Sequence, residues 1–352
     1  MTFAVTNEAI APAHARPRRD ARALLRAWLW ALALLVIGMV AIGGATRLTG
    51  SGLSITEWKP VTGAIPPLSE AAWAVEFAKY QASPQYRLLN QGMTLDAFRT
   101  IYWWEWGHRQ LGRFLGLFFF LPFLWFWAKG VFPRGLAAKL LLVGTLGGLQ
   151  AAVGWIMVAS GLEPGMTAVA PLKLMLHLTL ASLIFTGLAW LATGLDAPAR
   201  PISGSHRHRR AARILLGLIL VQIALGGLVA GSKAGLTFNT WPLMDGRLAP
   251  PLDTLFAVTP WVENFVDNVA LVQFNHRLTA YAVIALALWH AFAARGAENV
   301  GRRAAVLASL CLVQGALGVA TLLLGVPLWA GLAHQLFAMA VLGTAAAHAR
   351  LT

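Results

Sequence analysis

Apolar residues in this chain come in eight long runs separated by polar stretches. The runs cover residues 27–46, 106–128, 137–158, 171–194, 212–231, 269–291, 303–325 and 328–348. Each is close to the ~20 residues that a helix needs to cross a hydrocarbon core of roughly 30 Å. The pattern predicts an all-α integral membrane protein with eight transmembrane helices. The first run is too long for the apolar stretch of a signal peptide, and no small-residue cleavage site follows it, so it is expected to stay as a span. Composition agrees: 58% of the 352 residues are hydrophobic and 12% charged, too apolar a balance for a soluble domain of this size.

The net charge of +14 changes the picture less than it first suggests. With an inward N-terminus and loops assigned alternately, the inner side collects Arg16, Arg18, Arg19, Arg22 and Arg26, Lys129, Arg134 and Lys139. It also collects Arg200, Arg207, Arg209, Arg210, Arg213, Arg295, Arg302, Arg303 and Arg350. These 17 basic residues face only four acids there. Nearly all the excess charge is therefore cytoplasmic, as the positive-inside rule requires. The charge needs no nucleic-acid partner. The predicted setting is a bacterial inner membrane, with both termini cytoplasmic and membrane lipids as neighbours. The single cysteine, Cys311, lies inside the seventh run and excludes an internal disulfide. It reads as a packing residue.

The chain also repeats itself. Gly43-Gly44-Ala-Thr-Arg-Leu-Thr-Gly-Ser-Gly52-Leu53-Ser54 closes the first span, and Gly226-Gly227-Leu-Val-Ala-Gly-Ser-Lys-Ala-Gly235-Leu236-Thr237 closes the fifth. Trp106-Gly-His108-Arg109 is echoed by Phe274-Asn-His276-Arg277, Gln150-Ala-Ala-Val-Gly154 by Gln314-Gly-Ala-Leu-Gly318, and His177 by His334. Spans 1 and 5 start on the same side, so the eight helices are expected as two parallel-repeat four-helix bundles. The division is a cytoplasmic basic tail over 1–26, an N-terminal bundle over 27–194 with an outer loop over 47–100, a cytoplasmic linker over 195–211, and a C-terminal bundle over 212–352. Segment 68–80 of the outer loop reads equally as an amphipathic helix on the membrane surface or as an ordinary loop helix.

Candidate chemistry lies in the histidines. His14, His206 and His208 sit in basic segments, and His290 and His348 near the inner ends of spans 6 and 8, where an ionisable group costs little. His108, His177, His276 and His334 are different. They lie in spans 2, 4, 6 and 8, each about two turns from the outer end, roughly 10 Å at 1.5 Å per residue. Ionisable side chains inside a membrane are costly and usually face a functional interior. Two imidazoles at equal depth on facing helices suit the two axial positions of a haem iron. A zinc or copper site would typically gather three or four ligands at one point. The expected pairs are His108 with His177 and His276 with His334. Arg109 and Arg277 follow two of the ligands and are expected as propionate contacts.

The halves differ at one position. Glu105 lies three residues before His108, and its counterpart before His276 is Gln273. That spacing puts the carboxylate on the same helical face as the histidine. A carboxylate beside a haem can move protons or stabilise developing charge, and an amide can do little of either. Glu105 is therefore the candidate catalytic residue, with an ion pair to Arg109 as the structural alternative. Reaction is assigned to the first half and cofactor storage to the second.

At these residues the sequence resembles the haem A synthase family. The resemblance rests on Gly43 to Ser54, on Glu57-Trp58, Lys59-Pro60 and Gly63, on Glu105-Trp106-Gly107-His108-Arg109 with Gly112-Arg113, and on Phe274-Asn275-His276-Arg277. It spans all eight runs. It implies an oxidoreductase that converts the C8 methyl of haem O to a formyl group, giving haem A for cytochrome c oxidase. It further implies that His276 and His334 ligate a resident haem B, that His108 and His177 hold the substrate haem, and that Glu105 is catalytic. Haem O synthase and oxidase assembly factors are the implied partners. Some family members carry a cysteine pair in the first outer loop. Residues 47–100 hold none here, which resembles the cysteine-free alphaproteobacterial-type branch. The alternative reading is a b-type electron-transfer cytochrome or a haem carrier without chemistry. An electron-transfer protein would set its haems at two depths, whereas all four histidines here lie towards one side, the periplasmic one.

Overall fold

The computed structural model describes residues 19–196 and 205–352. The predicted basic tail lies outside the described residues as far as residue 18, and the predicted linker lies outside them over 197–204. The described residues are helical with no β-strand among them. Their helices are α1 (Arg19–Leu48), α2 (Glu70–Gln81), α3 (Pro84–Leu89), α4 (Leu95–Ala128), α5 (Leu136–Gly161), α6 (Pro171–Asp196), α7 (His206–Gly231), α8 (Leu252–Leu255), α9 (Val269–Ala293), α10 (Glu298–Leu323) and α11 (Leu328–Leu351). Eight of them are long and apolar enough to cross a membrane: α1, α4, α5, α6, α7, α9, α10 and α11. This is a multi-pass membrane protein. Its outward faces carry Leu34, Leu117, Leu121, Trp127, Leu142 and Phe292, all exposed, as a lipid-facing surface requires.

Sequence chemistry sets the helix ends. Ser69, Ser83 and Thr94 cap α2, α3 and α4 by accepting from the backbone amides of Ala72, Tyr86 and Ala97, and Asn268 caps α9 by accepting from Ala270 and Leu271. The cap at Thr94 starts α4 eleven residues before the apolar run begins. At 34 residues, α4 is about 51 Å long at 1.5 Å per residue, well beyond the hydrocarbon thickness. Its polar first turns are held by packing: Phe98 and Tyr102 meet Trp73, Tyr80 and Phe77 of the outer loop in a separate aromatic cluster. The apolar side of segment 68–80 is therefore used on α4, which makes α2 an ordinary loop helix.

Helices α1, α6, α11 and α7 form a closed ring of neighbours, with α6 also touching α11 across it. Helix α4 packs on α1 and α5, α5 on α6, α9 on α7 and α10, and α10 on α11. The main core, from Leu25, Leu29 and Leu32 through Phe119, Phe123, Leu140, Phe185, Leu188 and Leu215 to Leu307 and Leu342, fills the half of the molecule at the α1 N-terminal end. Cys311 is buried within it, as a packing residue would be. The histidines of interest lie towards the other end.

Candidate functional site

The four histidines share one local construction. Each ring lies against a glycine on the preceding long helix. A Cβ added to Gly43 would come 2.9 Å from Cε1 of His108. At Gly154 it would come 2.8 Å from that of His177, at Gly226 3.2 Å from that of His276, and at Gly318 2.9 Å from that of His334. An added Cβ would force the ring aside at Gly43, Gly154 and Gly318 and crowd it at Gly226, so each glycine forms the floor on which an imidazole rests.

Four residues before three of those glycines, one helical turn away on the same face, stands a glutamine. The side-chain amide of Gln150 donates to the backbone carbonyl of His177 at 3.1 Å and lies 3.2 and 3.1 Å from its ring nitrogens. Gln222 donates to the carbonyl of His276 at 3.1 Å, with the ring nitrogens at 3.1 and 3.3 Å. Gln314 donates to the carbonyl of His334 at 3.0 Å, with Nδ1 at 3.2 Å. The corresponding residue before Gly43 is Met39, and Nδ1 of His108 is buried without a hydrogen-bond partner.

Beside each first ligand sits the Glu/Gln position. Glu105 is buried and fully engaged. Oε2 accepts from the Ser54 hydroxyl at 2.8 Å and from the Ile55 amide at 2.8 Å, and Oε1 accepts from Arg109 at 2.6 Å. The ion pair weighed from the sequence is therefore present. Gln273 pins the loop after α7 with the opposite polarity, donating to the carbonyl of Ala234 at 2.7 Å and to that of Thr237. Arg109 also donates to the carbonyls of Ile55 and Glu57 at 2.8 and 2.9 Å, and Arg277 to those of Phe238 and Leu243 at 2.7 and 3.4 Å. Both guanidinium groups tie an outer loop down over the histidine that precedes them.

Residues 26–346 match the sequence profile of a family described as cytochrome oxidase assembly protein. The chain belongs to this family. It is similar to the protein named heme A synthase in Methylobacterium sp. (strain 4-46), with 65% identity over 345 residues that cover 97% of this chain and 96% of that one. A heme A synthase of Methylorubrum extorquens is 63% identical, covering 98% of this chain and 90% of that one. That of Azorhizobium caulinodans is 51% identical, covering 96% of each.

In this member of the family two further histidines depart from their expected role. His290 and His348, read from the sequence as helix-end groups, are each only 1% exposed, and their Nε2 atoms lie 2.8 Å apart. Their depth follows from packing: α9 and α11 both press on α7, which closes over the pair. The mutual hydrogen bond offsets part of the cost of burial. His208 stands nearby, its ring centre 6.0 Å from that of His290. His14 lies outside the described residues.

The sequence reading missed the glutamines and glycines as histidine seats. Gln150-x-x-x-Gly154 and Gln314-x-x-x-Gly318 were visible as a repeat. The signal that reveals their role is the third copy, Gln222-x-x-x-Gly226, one span before His276. Trp58 was missed as well. It stacks on Trp155, next to Gly154, with ring centres 6.1 Å apart, and so carries the outer loop onto α5. The tryptophans before His108 divide. Trp103 and Trp104 are exposed, as interfacial residues are, whereas Trp106 has a buried indole N–H without a partner.

Proposed function

We infer that this chain is a haem A synthase, oxidising the C8 methyl of haem O to a formyl group to yield haem A for cytochrome c oxidase. The observation that carries the reading is the fourfold seat: four histidines within the spans, each resting on a glycine. The relatives named heme A synthase, similar over nearly the full length of both chains, support the same substrate and product.

The eight spans are read as two copies of one four-helix unit, 27–194 and 212–352. His276 and His334 are the ligands for a resident haem B. Two imidazoles, each fixed by a glutamine and a glycine, fit that group. A haem bound there supplies one-electron redox chemistry. His108 and His177 hold the iron of substrate haem O. Of the two arginines, Arg277 keeps a buried Nε without a partner and is the better placed to bond a propionate. The setting is a bacterial inner membrane with both termini cytoplasmic and the haem sites towards the periplasm. Haem O synthase and oxidase assembly factors are the partners that the substrate and product imply.

Conversion of a methyl to a formyl group adds one oxygen and removes four electrons, which an external electron acceptor must take up through the redox chemistry that a bound haem would supply. The route is two successive hydroxylations followed by loss of water. Protons leave the carbon at each stage, and Glu105 is the group to receive them. Ser54 makes this workable. Its hydroxyl lies 2.8 Å from Oε2 of Glu105 and 3.3 Å from the carbonyl of Ile101. When Oε2 gains a proton, the hydroxyl can accept from it and turn its own hydrogen to Ile101. Gln273 offers no such site, because its amide is committed as a donor to two carbonyls.

The test is to express the chain in membranes together with a haem O source, purify it, extract the haems and separate them with mass detection. Haem B together with haem O, haem A or a hydroxylated intermediate is the expected result. Haem B alone overturns the reading in favour of an electron-transfer cytochrome or a carrier.

A further inference from the structure

Three of the four histidines are clamped and one is not. We propose that Met39, standing where a clamping glutamine stands at the other three, leaves His108 as the releasable iron ligand through which the substrate haem enters and the product haem leaves. The proposal rests on the functional reading above and deepens it.

Three observations meet here. Gln150, Gln222 and Gln314 each make the same contact, an amide N–H on the histidine carbonyl with the ring alongside. Met39 occupies the equivalent turn of α1, four residues before Gly43 as Gln222 is four before Gly226. Its methyl lies 3.6 Å from where a Cβ on Gly112 would be, one turn past His108. It therefore packs on α4 one turn past His108 with a side chain that cannot donate. Finally, Nδ1 of His108 is buried without a partner, so no hydrogen bond to that atom fixes the ring's rotation on its glycine floor.

The distribution matches what each site must do. A resident cofactor should not leave, and in the second pair both histidines are clamped, His276 by Gln222 and His334 by Gln314. A substrate site must exchange its haem every turnover, and in the first pair only His177 is clamped, by Gln150. A ring free to turn about its side-chain torsions can break its bond to iron without breaking a second bond to the protein. His177 then retains the haem while His108 swings. Met39, Gln222 and Gln314 act on the iron only through the histidines, as positioning residues.

The test is haem release from the purified, loaded protein into an excess of a haem-scavenging apoglobin, each haem being identified by mass over time. Met39→Gln should slow the loss of haem O and haem A by about tenfold, the order expected from one added hydrogen bond, without altering haem B release. Gln222→Met should speed haem B loss by a similar factor, without altering haem O. Met39→Leu, which matches the bulk but adds no donor, should release haem O as fast as the unmodified protein. Equal haem O release from the unmodified protein and Met39→Gln overturns the proposal, as does slowing in Met39→Leu equal to that in Met39→Gln. Unchanged haem B release in Gln222→Met also overturns it. A preparation that never carries haem O, haem A or an intermediate overturns the functional reading itself, which separates the two failures.

Discussion

The loops that follow α1 and α7 are pinned at the same place by side chains of opposite polarity. In the first, Glu105 accepts from Ser54 and Ile55. In the second, Gln273 donates to Ala234 and Thr237. The two loops fold to suit, one turning a hydroxyl and an amide N–H inward and the other two carbonyls. The difference is therefore built into the backbone as well as the side chain. One half keeps a titratable oxygen one turn from its histidine, and the other has the same mechanical tie with nothing to titrate. Together with the missing clamp on His108, this sets, on the proposed reading, an exchangeable, chemically equipped pair against a closed, inert one.

The largest effect is expected from removing a ligand on the closed side. His276→Ala should leave the protein inserted in the membrane with haem B reduced to background in extracted samples. Haem B retained at normal stoichiometry in this variant would sink the assignment of the pairs. The same substitution at His108 should spare haem B.

Next comes the exchange of polarity. Glu105→Gln should lower haem A output by about a hundredfold or more, the range usual for loss of a general acid–base group, with haem B content unchanged. The amide would also set an NH₂ against either Arg109 or the Ser54–Ile55 donors, so limited proteolysis of the outer loop should accompany the assay. Normal haem A yield would reduce Glu105 to the loop tie that the ion pair with Arg109 already makes it. Gln273→Glu gives the second half no new activity, because two carbonyls would then face a carboxylate, and it should weaken haem B retention instead.

The glycine floors grade the comparison more finely. An added Cβ comes closest at Gly154, 2.8 Å from the His177 ring, nearly as close at Gly43 and Gly318, 2.9 Å, and least close at Gly226, 3.2 Å. Alanine at Gly318 should therefore cost more haem B than alanine at Gly226. We expect about tenfold weaker retention at the former, the consequence of about 1 to 2 kcal/mol of overpacking. The reverse order, measured by haem B remaining after purification, would show that ring displacement is not what limits binding.

These contrasts were unequally visible in the sequence. The four histidines were legible because an ionisable group deep in an apolar run is costly and must have a reason to be there. Glu105 against Gln273 was legible because the repeat supplied its own control. The seats were not, because Gln222 and His276 lie 54 residues apart on different helices and only packing brings them together. The early start of α4 was hidden by Asp96, Arg99 and Thr100, polar residues that a hydropathy reading assigns to a loop but that the Thr94 cap and the Phe98–Trp73 cluster hold in a helix. His290 and His348 were misjudged for a related reason. Distance along a helix gives depth in the bilayer but not burial against neighbouring helices.

The smallest effect lies in the loop that only the first half has at full length. Glu57 receives Lys59 at 2.5 Å and Lys79 at 2.8 Å, and Lys79 also bonds Glu76 at 2.7 Å. Hydrogen bonds from the two lysines hold the Glu57 carboxyl down at about 2, and the same contacts raise Lys79. A carboxyl depressed in the folded loop contributes stability that is complete above its unfolded value, roughly 4.3, and is lost as pH falls towards the folded one. Exposed pairs of this kind are worth little, about 1 kcal/mol or less, and salt screens them. Protease protection of segment 57–81 should therefore stay flat from pH 8 to about 5, and decline only below about pH 4. High salt should lower it slightly throughout, and the corresponding second-half segment, 232–268, should show neither response. A loop that loosens between pH 8 and 6 would mean that some group other than this ion cluster governs its docking.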